Sequence, residues 1–323
     1  MTQYDEQIST LKQTEATSGV TGEAIPSVWE HATTDSVISK DGTIIGYRQL
    51  GRSSGIVLVQ GTMGTAQNFM QLARALADTF TVFVPDRRGR GISGSGGNEY
   101  SIQKEVEDLD ALLTKTGARN VFGLSSGAMI ALQAALTLTA IHKLAIFEPP
   151  FFINGSVPTA LVARYEKEMA EGKTAAALIT GMKAGQMGPP IMNALPRRLL
   201  ESLVGMAMKS EEKKGSSDFV PMRALASTLH NDFQLVVEMA DTLENFGAIR
   251  TEVLLLGGSK SPTYLKSAVD ALEKVLPHAT RIEFSGLSHA ASWNTDRGGK
   301  PERVAQELRR FFAESGQAKP GPV

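Results

Sequence analysis

Five short apolar runs constrain this chain more than any other feature. They read "GIVLVQG" (55–61), "TVFVPD", "NVFGL", "KLAIFEPP" and "TEVLLLGG" (251–258). None alternates apolar with polar residues, so each suits a strand buried on both faces, as in a parallel sheet. Between them lie helical patterns such as "AQNFMQLARALADTF", "IQKEVEDLDALLTKTG" and "GAMIALQAALTLT". Repeated strand–helix units of this length predict a parallel sheet with helices on both faces. Upstream, "SVISKDGTIIGYRQLG" holds two β-prone runs joined by Asp41-Gly42, which predicts a hairpin.

The strand signal lapses from roughly Phe151 to Ile249, where helical patterns take over. Eight of the 12 methionines fall in that interval, including Met182, Met187, Met192, Met206 and Met208. They suit either a helix–helix core or a mobile lid whose thioethers line an apolar pocket. The strand pattern returns at 251, and a final helix, "PERVAQELRRFFAES", closes the fold. The expected organisation is an N-terminal extension over 1–35, with a short helical stretch and the linker "SGVTGEAIP". A core over 36–150 and 250–315, a helical lid over 151–249 and a flexible tail over 316–323 complete it.

Composition removes several function classes. The net charge of −1, from 33 basic and 34 acidic residues without a basic block, gives no footprint for nucleic acid or an anionic membrane. With no cysteine, disulfides, thiolate metal sites and a cysteine nucleophile are excluded. The N-terminus carries Asp5 and Glu6 and lacks an apolar core, unlike a secretory signal. The most apolar stretch, Met129 to Phe147, contains Gln133, His142 and Lys143, unlike a membrane span. The expectation is a cytoplasmic protein.

One strand end carries a nucleophile pattern. In "VFGLSSGAMI" (121–130), Gly123-Leu124-Ser125-Ser126-Gly127 follows a strand and opens a helix, matching G-x-S-x-G. The chemistry needs a sharp turn that lifts the middle serine above the sheet, and flanking glycines keep side chains from colliding there. Ser125 is then the nucleophile, and Ser126 contributes chiefly its backbone N–H, so Ser126 should tolerate alanine far better than Ser125.

Together these motifs resemble the α/β-hydrolase superfamily across about residues 36–315. "VLVQGTMG" resembles its oxyanion loop and "VPDRRGRGISG" (84–94) its strand-four motif. "GLSSG" is similar to its nucleophile elbow and "FSGLSH" (284–289) to its histidine segment. The resemblance implies an α/β fold: a mostly parallel doubly wound sheet with a helical lid insertion. It also implies a serine hydrolase acting on a small-molecule ester or lactone, without metal or organic cofactor.

The resemblance assigns Ser125 as nucleophile and His289 as base. Of the five histidines, His289 alone follows the last strand in a Gly-rich loop, whereas His31, His142, His230 and His278 lie elsewhere. The usual position for the acid is Ser261, which cannot stabilise an imidazolium as a carboxylate does. Glu148, closing "KLAIF" one strand earlier, is the first candidate, and Asp232 in "LHNDFQL" the second. Asp86 reads as structural, holding its loop through backbone N–H groups.

The oxyanion donors expected are the backbone amides of Thr62 and Ser126. Gln60 stands where the family commonly has histidine, and it and Met63 are expected to face substrate. Trp293 either walls the pocket or caps the core. Two rivals share the fold: cofactor-free carbon–carbon cleavage, dehydration or ring rearrangement, and a ligand-binding protein without turnover. Oligomeric state is open.

Overall fold

The computed structural model describes residues 31–95, 97, 99–153, 157–186, 195–214 and 219–313. The helical stretch and linker expected before residue 31, the tail and Met187 and Met192 lie outside them. Eight strands run in the order β1-β2-β4-β3-β5-β6-β7-β8. They are β1 (Thr33–Ile38), β2 (Ile44–Leu50), β3 (Gly55–Val59) and β4 (Thr81–Pro85), then β5 (Asn120–Leu124), β6 (Lys143–Phe147), β7 (Glu252–Gly258) and β8 (Ala279–Phe284). β1 pairs antiparallel with β2 across the Lys40-Asp41-Gly42 turn, and β2 pairs antiparallel with β4. All other pairs are parallel, so the sheet is the mostly parallel one expected from the unbroken apolar runs.

Helices cover both faces. On one, Val57, Val59, Val121, Leu144, Ile146, Val253 and Leu255 form a continuous core. Against them pack α2 (Ile102–Thr116), α3 (Ser126–Thr137) and α9 (Thr263–Val275). On the other face Phe122 meets Phe69 at 6.1 Å between ring centroids. There α1 (Met70–Ala77) packs against the last helix, α10 (Pro301–Ala313). Local signals set the ends of α2: the Ser101 hydroxyl accepts from Lys104 N–H, and Gly117 closes it in a left-handed conformation (φ 69°).

Between β6 and β7 the chain is helical, as its lost strand signal predicts. The insertion comprises α4 (Thr159–Ala170), α5 (Thr174–Ala184), α6 (Arg197–Lys214), α7 (Met222–Ala226) and α8 (Leu229–Glu238). Its own small core joins Tyr165, Ala177, Leu178, Met208, Ala226 and Leu229. Of the clustered methionines, Met208 is thus a core residue, whereas Met206 is 57% exposed. No helix among the described residues is long and apolar enough to cross a membrane.

Packing is close where α3 meets the sheet. A Cβ added to Gly127 would sit 2.4 Å from the Val59 carbonyl oxygen and 2.6 Å from that of Gln60. Both obstacles are backbone and cannot swing away, so the helix reaches β3 only because residue 127 is glycine. Gly127→Ala is expected to destabilise the fold by about 1–3 kcal/mol, read as a lower denaturation midpoint in urea at unchanged m-value.

Candidate active site

Parallel strands β5, β6 and β7 run in register, with Leu124 beside Phe147 and Phe147 beside Leu256. The next residues therefore lie together at one end of the sheet: Ser125 and Glu148 just past β5 and β6, beside Gly257 of β7. Ser125 holds φ 56° and ψ −124°, a conformation costly for a side-chain-bearing residue. Its N–H donates to the Phe147 carbonyl at 2.9 Å, and its carbonyl accepts from Ala128 N–H at 2.9 Å. Strand and helix thus clamp the turn from both sides, as expected of a nucleophile elbow.

Glu148 is also in the left-handed region (φ 45°) and has no exposed surface. Its N–H donates to the Leu256 carbonyl at 3.2 Å. Burying a carboxylate is costly unless its oxygens are bonded, and both are. Oε1 accepts from Gly258 N–H at 2.7 Å, and Oε2 lies 2.8 Å from His289 Nδ1. Gly257 makes room for this, because a Cβ there would stand 3.0 Å from Oε1. The imidazole packs edge-on against Phe147, with ring centroids 6.4 Å apart, and keeps 17% of its side-chain surface exposed. Ser261, at the usual acid position, is buried, and its hydroxyl finds no hydrogen-bond partner among the described residues.

The loop after β3 turns through a Gly64 N–H to Gly61 carbonyl bond of 3.1 Å. A Cβ at Gly61 would lie 2.7 Å from Ser125 Cβ, so glycine lets the loop pass directly over the elbow. Thr62 Oγ1 is 3.5 Å from Ser126 Oγ, which brings the two expected amide donors onto neighbouring residues. Met63 (φ 53°) packs against the core of the insertion. Trp293 lies against Gly64, stacks obliquely on Phe69 at 5.2 Å and sits under the Arg297 guanidinium at 5.5 Å. Gln60 departs from the substrate-facing expectation. It is wholly buried, and its Nε2 donates to the Pro85 carbonyl at 2.8 Å, linking the ends of β3 and β4.

A model of the alpha/beta hydrolase family matches residues 56–307, which take in the sheet from β3 to β8, the insertion and His289. The chain belongs to the alpha/beta hydrolase family. It is similar to a crystallised alpha/beta hydrolase from Sphaerobacter thermophilus, with a TM-score of 0.71 and 30% identity, covering 86% of this chain and 100% of that one. It is 23% identical to the 3-hydroxybutyrate-oligomer hydrolase of Cupriavidus necator over 249 residues, 74% of this chain and 83% of that protein. A 99-residue stretch is 35% identical to an uncharacterized hydrolase of Bacillus subtilis, spanning 29% of this chain and 36% of that protein.

Within this alpha/beta hydrolase, Asp232 is not where a triad acid would be. It lies on α8, buried, and bonds elsewhere: Oδ1 accepts from Arg87 at 2.8 Å and from Ser126 Oγ at 2.7 Å, and Oδ2 from Arg90 at 2.7 Å. Burial pushes the Asp232 carboxyl up, but the Arg90 and Arg87 guanidiniums outweigh it and hold the carboxyl below its ordinary value. The second candidate acid is thereby corrected to an ion-pair partner, because His289 already faces Glu148. Asp86 does hold its loop, through Ala66 N–H at 2.6 Å and Ile92 N–H at 3.0 Å.

The arginines of "DRRGRG" are what the sequence reading passed over as chemistry. Arg87 is 3% exposed and bonds Glu105 at 2.7 Å and Tyr100 at 2.9 Å as well as Asp232. Three arginines within four residues was the available signal, but their side-chain partners are 13 to 145 positions away. Among the described residues, no cluster of His, Asp and Glu is placed to hold a metal ion.

The Ser126 hydroxyl also differs from expectation. It donates to Asp232 and accepts from Arg87 at 3.1 Å, inside a fully buried cluster. Ser126→Ala leaves a buried charged group short of one partner, so a loss of about 1–3 kcal/mol in stability is expected. A thermal melt of Ser126→Ala beside Ser125→Ala checks this, with the former melting lower.

Proposed function

We propose that this chain is a serine hydrolase that cleaves an ester or lactone of a small to medium, largely apolar substrate. The observation that carries the reading is the 2.8 Å contact between Glu148 Oε2 and His289 Nδ1, at the same sheet edge as the strained Ser125 turn. With its carboxylate ionised, Glu148 only accepts, so Nδ1 carries the hydrogen and Nε2 serves as base. Residues 151–249 act as the lid over this edge, and Met63 is the point where the loop beneath meets it.

The reaction then runs in two balanced halves. His289 Nε2 takes the proton from Ser125 Oγ as the oxygen attacks the substrate carbonyl. The backbone N–H groups of Thr62 and Ser126 stabilise the oxyanion, the latter at the N-terminus of α3. The carbon–oxygen bond to the leaving group breaks, and the imidazolium returns its proton to the departing alkoxide. Water, deprotonated by His289, attacks the acyl-enzyme; the carbonyl carbon–Oγ bond breaks, the imidazolium returns its proton to Ser125 Oγ, and the carboxylic acid leaves. Trp293, over Gly64, walls the pocket beside the reacting carbonyl. The similarity to a hydrolase of 3-hydroxybutyrate oligomers supports hydrolysis over rearrangement.

Ser125→Ala is expected to abolish turnover of an aryl ester, and full retained activity would sink the assignment. Glu148→Gln should lower kcat on the order of 10³–10⁴-fold while leaving the fold intact. Incorporation of ¹⁸O from labelled water into the released acid separates hydrolysis from isomerisation, which incorporates none.

A further inference from the structure

Four buried charges meet beneath the proposed oxyanion loop: Arg87 and Arg90 against Glu105 and Asp232. Three of them come from the sheet-edge loops or α2, but Asp232 comes from the helical insertion. Its two oxygens do different things. Oδ2 orients Arg90, whose Nη1 donates to the carbonyls of Gly61 at 2.8 Å and Gly64 at 3.2 Å. Those carbonyls bracket Thr62. Oδ1 accepts from Ser126 Oγ, the first residue of α3. One carboxylate on α8 therefore indexes both residues whose amides face the oxyanion on the reading above.

We propose that Asp232 is a positioning residue for the oxyanion hole, fixing the Thr62 turn through Arg90 and the Ser126 amide through the Ser126 hydroxyl. The inference rests on the serine-hydrolase reading. Arg90 cannot be held this way by the loops alone, because Arg87 lies beside it as a like charge, and Glu105 bonds Arg87 and Tyr100. Without the Asp232 charge, two guanidiniums share one carboxylate in a water-poor site, and Arg90 loses the bond that aims it at the loop. Oxyanion donors act only in the transition state, so their displacement lowers kcat and leaves ground-state binding alone.

The test compares wild type with the near-isosteric Asp232→Asn and the charge-conserving Arg90→Lys, using an aryl ester and an aryl trifluoromethyl ketone that forms a tetrahedral adduct with the serine. The expected result is a fall in kcat of about 10- to 100-fold in each variant, KM within about threefold, and adduct affinity falling in parallel with kcat/KM. Circular dichroism checks that each variant is folded. Should Asp232→Asn fail to fold, Arg90→Lys, which keeps the cation but cannot span both carbonyls and Asp232, carries the test alone. Folded variants with wild-type kcat and adduct affinity, or with KM and kcat changed together, would overturn the proposal. A fluorophosphonate that labels wild type but not Ser125→Ala secures the underlying reading in the same experiment. Wild type left unlabelled would overturn that reading, and the positioning role with it.

Discussion

The backbone contact between Gly127 and the end of β3 is the constraint from which the site follows. The carbonyl oxygens of Val59 and Gln60 leave no room for a Cβ at position 127, so α3 begins directly against the sheet. That closeness forces the chain to reverse within one residue, and Ser125 takes the strained φ of 56°. The strain is sustained because the turn is bonded on both sides, to Phe147 and to Ala128. Gly61 completes the arrangement, because the loop after β3 crosses the elbow with only a glycine between them.

Around this rigid centre the charges are arranged by burial. Glu148 and Asp232 are both carboxylates without appreciable exposure, yet their environments divide them into different tasks. Glu148 accepts one backbone N–H and faces an imidazole, a neutral partner when unprotonated. Asp232 faces two guanidiniums that hold it ionised. A group held as a permanent anion by arginines suits electrostatic anchoring, whereas one facing a titratable ring suits orienting a base.

Much of the sheet was legible because parallel strands buried on both faces must be apolar throughout. β3, β4, β5, β6 and β7 coincide with the five apolar runs to within three residues at each end. Within the helical pattern that begins after Phe151, the chain folds as α4 and α5, divided at Gly172 with φ 71°. Helical periodicity continues across such a break, and only the left-handed glycine marks it. At the site, G-x-S-x-G in a strand–helix setting names Ser125 because the turn geometry demands that residue pattern. Gln60 was misread as facing substrate, since a polar residue in an oxyanion-loop motif carries no sign of the neighbouring Pro85 carbonyl it bonds.

The sequence by itself determined the mostly parallel sheet, the helical insertion and the elbow, all of which are encoded by neighbours a few positions apart. Local periodicity and glycine placement express those directly. The tertiary structure alone decided which carboxylate meets which partner. Glu148 reaches His289 across 141 positions, and Asp232 reaches Arg90 across 142 and Ser126 across 106. Such pairings depend on strand register and on how the insertion folds back over the sheet. No short-range pattern records them, because a carboxylate's residue type is the same whether it orients an imidazole or neutralises an arginine.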